Sequence, residues 1–345
     1  MTATVARQAR RVEEAALTWL SAHRDRFALG DDALAADGRV NGTWKPLGEL
    51  AQVCATVSGR IPPSDPLRPC VSGLLDFAWE QTGRGELFLR MQALEPFATY
   101  PLEVYAAFAS AGLRHAGYEA SAAVVARTRG WRLTEQCPTR RLGVIGAERR
   151  SGVPPHGRVS QALRRTWLGG LPEPWTFERA AGYALTHVVF HLTDWGRTAR
   201  GVPPDLAAYL LHWLPPWLDT CLEARMWDLS CELLAVAASL PTAPDAAVLQ
   251  DAWHRLAAAQ HTSGAIPEEG AVHDAAHRPG PEPGPEPYDF TDCYHSTLMA
   301  VYAAALTTAP PLEADRGTER PVPALVWTPS AGHHHERRSG QGVPG

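Results

Sequence analysis

From residue 8 to residue 308 apolar residues recur at helical spacing, and no stretch alternates at period two or reads as a βαβ unit. Val12, Ala15, Ala16, Trp19 and Leu20 mark one face of a helix predicted over 12–27. Further helices are predicted over 47–57, 69–81, 101–116, 119–129, 139–150 and 159–167. A more apolar second half adds 177–195, 204–214, 216–240, 246–260 and 291–307. Pro or Gly stands at many of the breaks. A fold that is all helix, in many pieces, is a helical solenoid or a closed α/α toroid. No fixed repeat with a tetratricopeptide, HEAT or ankyrin signature recurs. The expectation is therefore an all-α α/α toroid in a single domain over residues 1–308.

Two segments fall outside that domain's core. Residues 270–288 contain Arg278-Pro-Gly-Pro-Glu-Pro-Gly-Pro-Glu-Pro, which cannot be helical because each proline lacks a donor and has φ fixed. The Pro-, Gly- and Arg-rich tail over 309–345, with His333, His334 and His335, is expected to be disordered.

Composition excludes several classes of function. A net charge of −5 with scattered arginines and a single lysine, Lys45, provides no basic face for nucleic acid. No run of 18 apolar residues reaches the length of a membrane span, and residues 1–11 lack the apolar core of a signal peptide, so a cytoplasmic location is expected. Six cysteines without a C-x-x-C pair argue against a disulfide framework. The partner expected is a small-molecule or peptide substrate.

Four constellations carry polar chemistry. His187, His191 and Asp194 are spaced i, i+4, i+7 and so project within about 60° of one another on a helix. Two imidazoles at that spacing can reach one zinc ion, or the groups can satisfy one another. Asp228 and Glu232 share a face of an apolar helix, with Cys231 between them. Like charges four apart call for a cation, a shared proton or a nearby histidine. In Asp289-Phe-Thr-Asp-Cys-Tyr-His-Ser-Thr-Leu, Cys293 and His295 lie about 200° apart on a helix, so only one faces an interior, and His295 is favoured. Gln260-His-Thr-Ser-Gly264 reads as a structural turn, with Gln260 satisfying free backbone groups.

The turn Gln260-His-Thr-Ser-Gly-Ala-Ile resembles the Gln-x-x-x-Gly turn of terpene-cyclase-type α/α toroids. The segment from Asp289 to Leu298 is similar to the part of protein prenyltransferase β-subunits that ends in a zinc-ligating histidine, here His295. Lanthionine cyclases use the same toroid, but their Cys-His-Gly motif is absent, as are the Asp-x-Cys and Asp-x-Asp-Asp motifs of the other two groups. The Thr-His, Asp-Leu-x-x-Glu and Tyr-His elements also resemble an uncharacterised bacterial helical family found among natural-product genes.

These likenesses imply a zinc-dependent enzyme of natural-product or modified-peptide biosynthesis, activating a thiol or water or promoting a cyclisation in a central cavity. His187, Asp228, Cys231 and His295 are the expected metal ligands, and His191, Asp194 and Glu232 the expected acid/base groups. A metal-free acid/base cyclase or isomerase, or a non-catalytic scaffold for a peptide, is compatible with the same residues.

Overall fold

In a computed structural model, residues 2–31, 33–34, 43–198, 201–270 and 289–309 are described. Among them every regular element is helical. There are fourteen α-helices: α1 (Ala3–Ala22), α2 (Trp44–Arg60), α3 (Arg68–Gln81), α4 (Glu86–Leu94), α5 (Tyr100–Ser110), α6 (Ala116–Val125), α7 (Arg129–Leu133), α8 (Pro138–Arg150), α9 (Val159–Leu163), α10 (Arg179–Leu192), α11 (Pro204–Glu223), α12 (Trp227–Ser239), α13 (Ala246–Ala259) and α14 (Tyr294–Thr308). The Pro-rich stretch 271–288 and the tail 310–345, with its three histidines, lie outside the described residues.

The packing follows a definite order. α2 packs on α5, α5 on α8, α8 on α10, α10 on α12, α12 on α14, and α14 on α2. Others lie against these: α1 on α14, α3 on α2, α4 on α5, α9 on α8, and α11 on α12. One apolar cluster runs through both sets, from Val5 to Leu306. Within it α14 is enclosed, with every residue from Tyr294 to Thr307 buried. Ala300, Ala303, Ala304 and Ala305 give it the narrow girth that neighbours on all sides require. No helix is long and apolar enough to cross a membrane among the described residues.

Several boundaries differ from the sequence reading, for local reasons. α1 starts at Ala3, nine residues early, because Thr2 caps it through Val5 N–H at 3.4 Å. The helix predicted over 101–116 ends at Ser110, where Gly112 at φ +84° and the Leu113 N–H bond to Phe108 close it. α4 is short, sits behind the left-handed run 83–85, and gave no long period to read. α11 runs through Pro215 and Pro216, where a break was predicted. The carbonyls those prolines release, on Leu211 and His212, belong to exposed residues that water can serve. The true break is at Arg225, held at φ +56°.

After α13 the chain turns and becomes a strap across the ends of two helices. Gln260 Nε2 donates to Val12 O (3.1 Å) and to Gly264 O (2.9 Å), so this turn is clamped to α1. Ile266 N–H then donates to Thr297 Oγ1 at 3.0 Å, and Ser296 Oγ donates to Ile266 O. Further along, Asp228 N–H donates to Glu268 O at 3.1 Å, and Glu268 N–H to Asp292 O at 2.8 Å. Residues 265–270 thereby tie the start of α12 to the start of α14.

Gly264 adopts φ +100°, and a Cβ there would lie 2.1 Å from Ala15 O. Gly264→Ala is therefore expected to destabilise the chain by about 2 kcal/mol or more. Gly59→Ala, in α2 with nothing within 4 Å of the new Cβ, is expected to be neutral or slightly stabilising. Denaturant melts of the two variants check the contrast.

Candidate metal centre

The strap places Asp228 and His295, each the second residue of its helix, side by side. His295 Nδ1–H donates to Asp228 Oδ1 at 2.6 Å, and Tyr183 of α10 donates its phenol O–H to Asp228 Oδ2 at 2.7 Å. Both carboxylate oxygens are thus engaged and the imidazole is fixed in rotation. Its other nitrogen, Nε2, faces Glu49 Oε1 of α2 at 3.6 Å and Glu232 Oε1 of α12 at 3.9 Å. Glu232 is fully buried; Thr186 Oγ1 donates to its Oε2, while Oε1 has no hydrogen-bond partner among the described residues. His187 borders the group, 4.0 Å from Glu232 Oε2, with its Nδ1–H donated to Tyr183 O at 2.7 Å. Lys45 lies 3.8 Å from Glu49 at the same rim. Asp228, Glu232 and His295 each offer a ligand atom within 4.8 Å of the others, the spacing a metal ion needs.

Burial and charge work against each other here. Desolvation alone would suppress the charged imidazole, but Glu49, Asp228 and Glu232 around it push His295 up to about 10. Burial also opposes charge on Asp228, yet His295 and the hydrogen bonds to its oxygens hold it below the usual carboxylate range. Glu232 is pushed up by burial, with Asp228 adding to the shift. Three carboxylates thus surround one imidazole that they favour in its charged form, with Lys45 at the rim beside Glu49.

The pairing of Asp228 and Glu232 with a histidine is as the sequence implied. Three other expected site residues are not brought to the group. α10 stops at Leu192, with Thr193 as C-cap, so the helical spacing that put Asp194 beside His191 does not extend to it. Asp194 stands at φ +48° and pairs with Arg150 at 3.5 Å. His191, one turn beyond His187, has its ring against Gly143 and near Glu103, and burial pushes it well below the usual imidazole range. Cys231 sits about 100° around α12 from Glu232, and burial pushes its thiol well above the usual range. Cys293 is the N-cap of α14.

Sequence reasoning missed Glu49 and Tyr183. Lys45 and Glu49 read as an ordinary i, i+4 surface pair, and nothing local marks the carboxylate as inward-facing. Tyr183, four residues before His187 on one face, was the more legible of the two.

The chain belongs to the DUF6895 family. The family's profile, described as a domain of unknown function, matches residues 13–305 and so takes in every residue of this group. No curated protein and no solved structure matches the chain. These comparisons confirm no resemblance of this DUF6895 domain to the toroid enzyme families.

The His295 shift makes a pH prediction for the metal-free domain. The folded value near 10 exceeds the unfolded 6.5, so the stability it contributes is complete below about pH 6.5 and is lost as pH rises through about 10. Melting temperature is expected to fall between pH 7 and pH 10. In His295→Gln the melt is lower at pH 7 and its decline with pH is shallower.

Proposed function

We propose that this chain is a zinc-dependent enzyme whose ion is held by Asp228, Glu232 and His295, with Glu49 at the edge of the group. The observation that carries the reading is that these three residues each offer a buried ligand atom within 4.8 Å of the other two. The unpartnered, fully buried Glu232 Oε1 supports it, since a cation satisfies that oxygen.

Three protein ligands leave one position open, as catalytic zinc requires. An ion there lowers the pKa of a bound water or thiol and supplies the nucleophile at neutral pH. His187 is placed to move a proton: its Nδ1 is engaged by Tyr183 O and its side chain is 41% exposed, the most open of the group's imidazoles. We read the helix order α2, α5, α8, α10, α12, α14 as the inner ring of an α/α toroid, because each packs on the next and the last on the first. The substrate in this reading is a small molecule or peptide undergoing hydrolysis, thiol addition or cyclisation, and the natural-product setting is the one the motif resemblances imply. The 2.6 Å Asp228–His295 bond favours one second reading, a metal-free acid/base enzyme built on that dyad.

Zinc titration of the metal-free chain, followed by calorimetry and elemental analysis, tests the proposal. One ion per chain is expected. His295→Ala, Glu232→Ala and Asp228→Ala are each expected to weaken it at least ~100-fold. His191→Ala and Cys231→Ser are expected to bind as wild type. Undiminished binding in His295→Ala and Glu232→Ala would end the zinc reading.

A further inference from the structure

Four large apolar side chains stand out from the surface where α4, α6 and α7 meet. Leu94 is 64% exposed, Phe97 48%, Val124 66% and Leu133 69%. The Phe97 ring lies against Gly130 of α7; a Cβ there would be 2.8 Å from two of its ring carbons. Gln92 of α4, Ala98, Val125 of α6, Ala126 and Trp131 of α7 border a single small cavity. Each of the four exposed residues is one or two positions from a residue of that lining, so they share one patch of surface. Arginine recurs beside them. Arg90 precedes Leu94, and Arg129 precedes Leu133, by one helical turn. Arg127 N–H donates to Val124 O at 3.2 Å, and Arg132 adjoins Leu133.

All four arginines are exposed, and none has an ion pair among the described residues. Glu119 and Glu135, on either side of this stretch in sequence, are taken up by Arg114 and Arg140, each at 2.8 Å. Residues 90–97 and 124–133 hold four arginines and one acid, Glu95, a net +3 in a chain whose total is −5. The patch offers knobs and no hole: the cavity behind it holds about 10 Å³, room for about one water. Side chains that protrude around a closed cavity suit a soft apolar phase better than a partner's anchor residue, which needs a socket. A second copy of the chain set there by two-fold symmetry would face these arginines with their own counterparts.

We propose that this face binds an anionic lipid surface. Leu94, Phe97, Val124 and Leu133 enter the boundary between headgroups and acyl chains, and Arg90, Arg127, Arg129 and Arg132 meet the headgroup anions. The apolar stem of each arginine lets its guanidinium stay at headgroup level while the neighbouring side chain goes deeper. The guanidinium fork matches phosphate oxygens. Binding of this kind is reversible and falls with salt, because the apolar area is small and the charges are exposed. None of these residues belongs to the candidate metal centre, so the surface stands whether or not zinc binds.

The test mixes the full chain with vesicles of phosphatidylcholine alone, or of phosphatidylcholine and phosphatidylserine in equal parts, and measures the bound fraction by sedimentation. Binding is expected to the mixed vesicles at low salt, falling steeply as sodium chloride is raised, with little to phosphatidylcholine alone. Leu133→Asp puts a charge on a side chain that enters the lipid and is expected to weaken binding about tenfold or more. Arg129→Gln and Arg132→Gln are each expected to weaken it about fivefold. All three positions are exposed, so thermal melts are expected to match wild type and separate lost binding from lost folding. Leu211→Asp, at an exposed position of α11, and His295→Ala are expected to bind vesicles as wild type. Binding to neither vesicle, no preference for phosphatidylserine, or wild-type binding by Leu133→Asp would overturn the proposal. A concentration-dependent dimer that Leu133→Asp abolishes, with no vesicle binding, would overturn it too and assign the face to a second copy.

Discussion

A helix enclosed on every side has no solvent to satisfy its polar side chains, and α14 is such a helix. Each of its polar groups must find a partner from a neighbouring element, or go without at a cost of about 1–3 kcal/mol. Ser296 and Thr297 meet both backbone groups of Ile266, and that exchange fixes the strap. His295 meets Asp228. Tyr302 has its ring packed against Phe190 and Trp195 while its hydroxyl has no partner. The candidate metal centre therefore depends on this helix, near its first turn.

Charge is sorted along α2, α8 and α12. Lys45 apart, the groups around His295 on α2 and α12 are acidic, and they occupy the first two turns of their helices. Arg60 and Arg150 are the last residues of α2 and α8. Acids near helix N-termini and cations near C-termini complement the backbone dipoles, so the scaffold tolerates both clusters. That complementarity accounts for where the charges sit. It does not account for the unpartnered Glu232 Oε1, and that is what points to a cation.

The limits of reading by period are clear in two places. His187, His191 and Asp194 look like one stripe, and an unbroken helix would make them one. The helix ends two residues before Asp194, and one turn of rise sends His191 toward Gly143 and Glu103 rather than toward Glu232. Pro215 and Pro216 look like a boundary, yet exposed carbonyls let α11 continue past them. In contrast, Asp228 and Glu232 were legible as a pair in need of a partner, because two carboxylates on an apolar face are costly wherever the helix packs.

The sequence by itself determined that the chain is helical, where its apolar faces lie, and that Asp228, Glu232 and His295 needed explanation. These follow from local periodicity and the cost of burying charge, which no later packing can reverse. Only the tertiary structure decided that Glu49 and Tyr183 join them, that Asp194 belongs with the arginines, and that Cys231 belongs with neither. Those assignments depend on which helices meet and at what height, and residues some 180 positions apart carry no local mark of it.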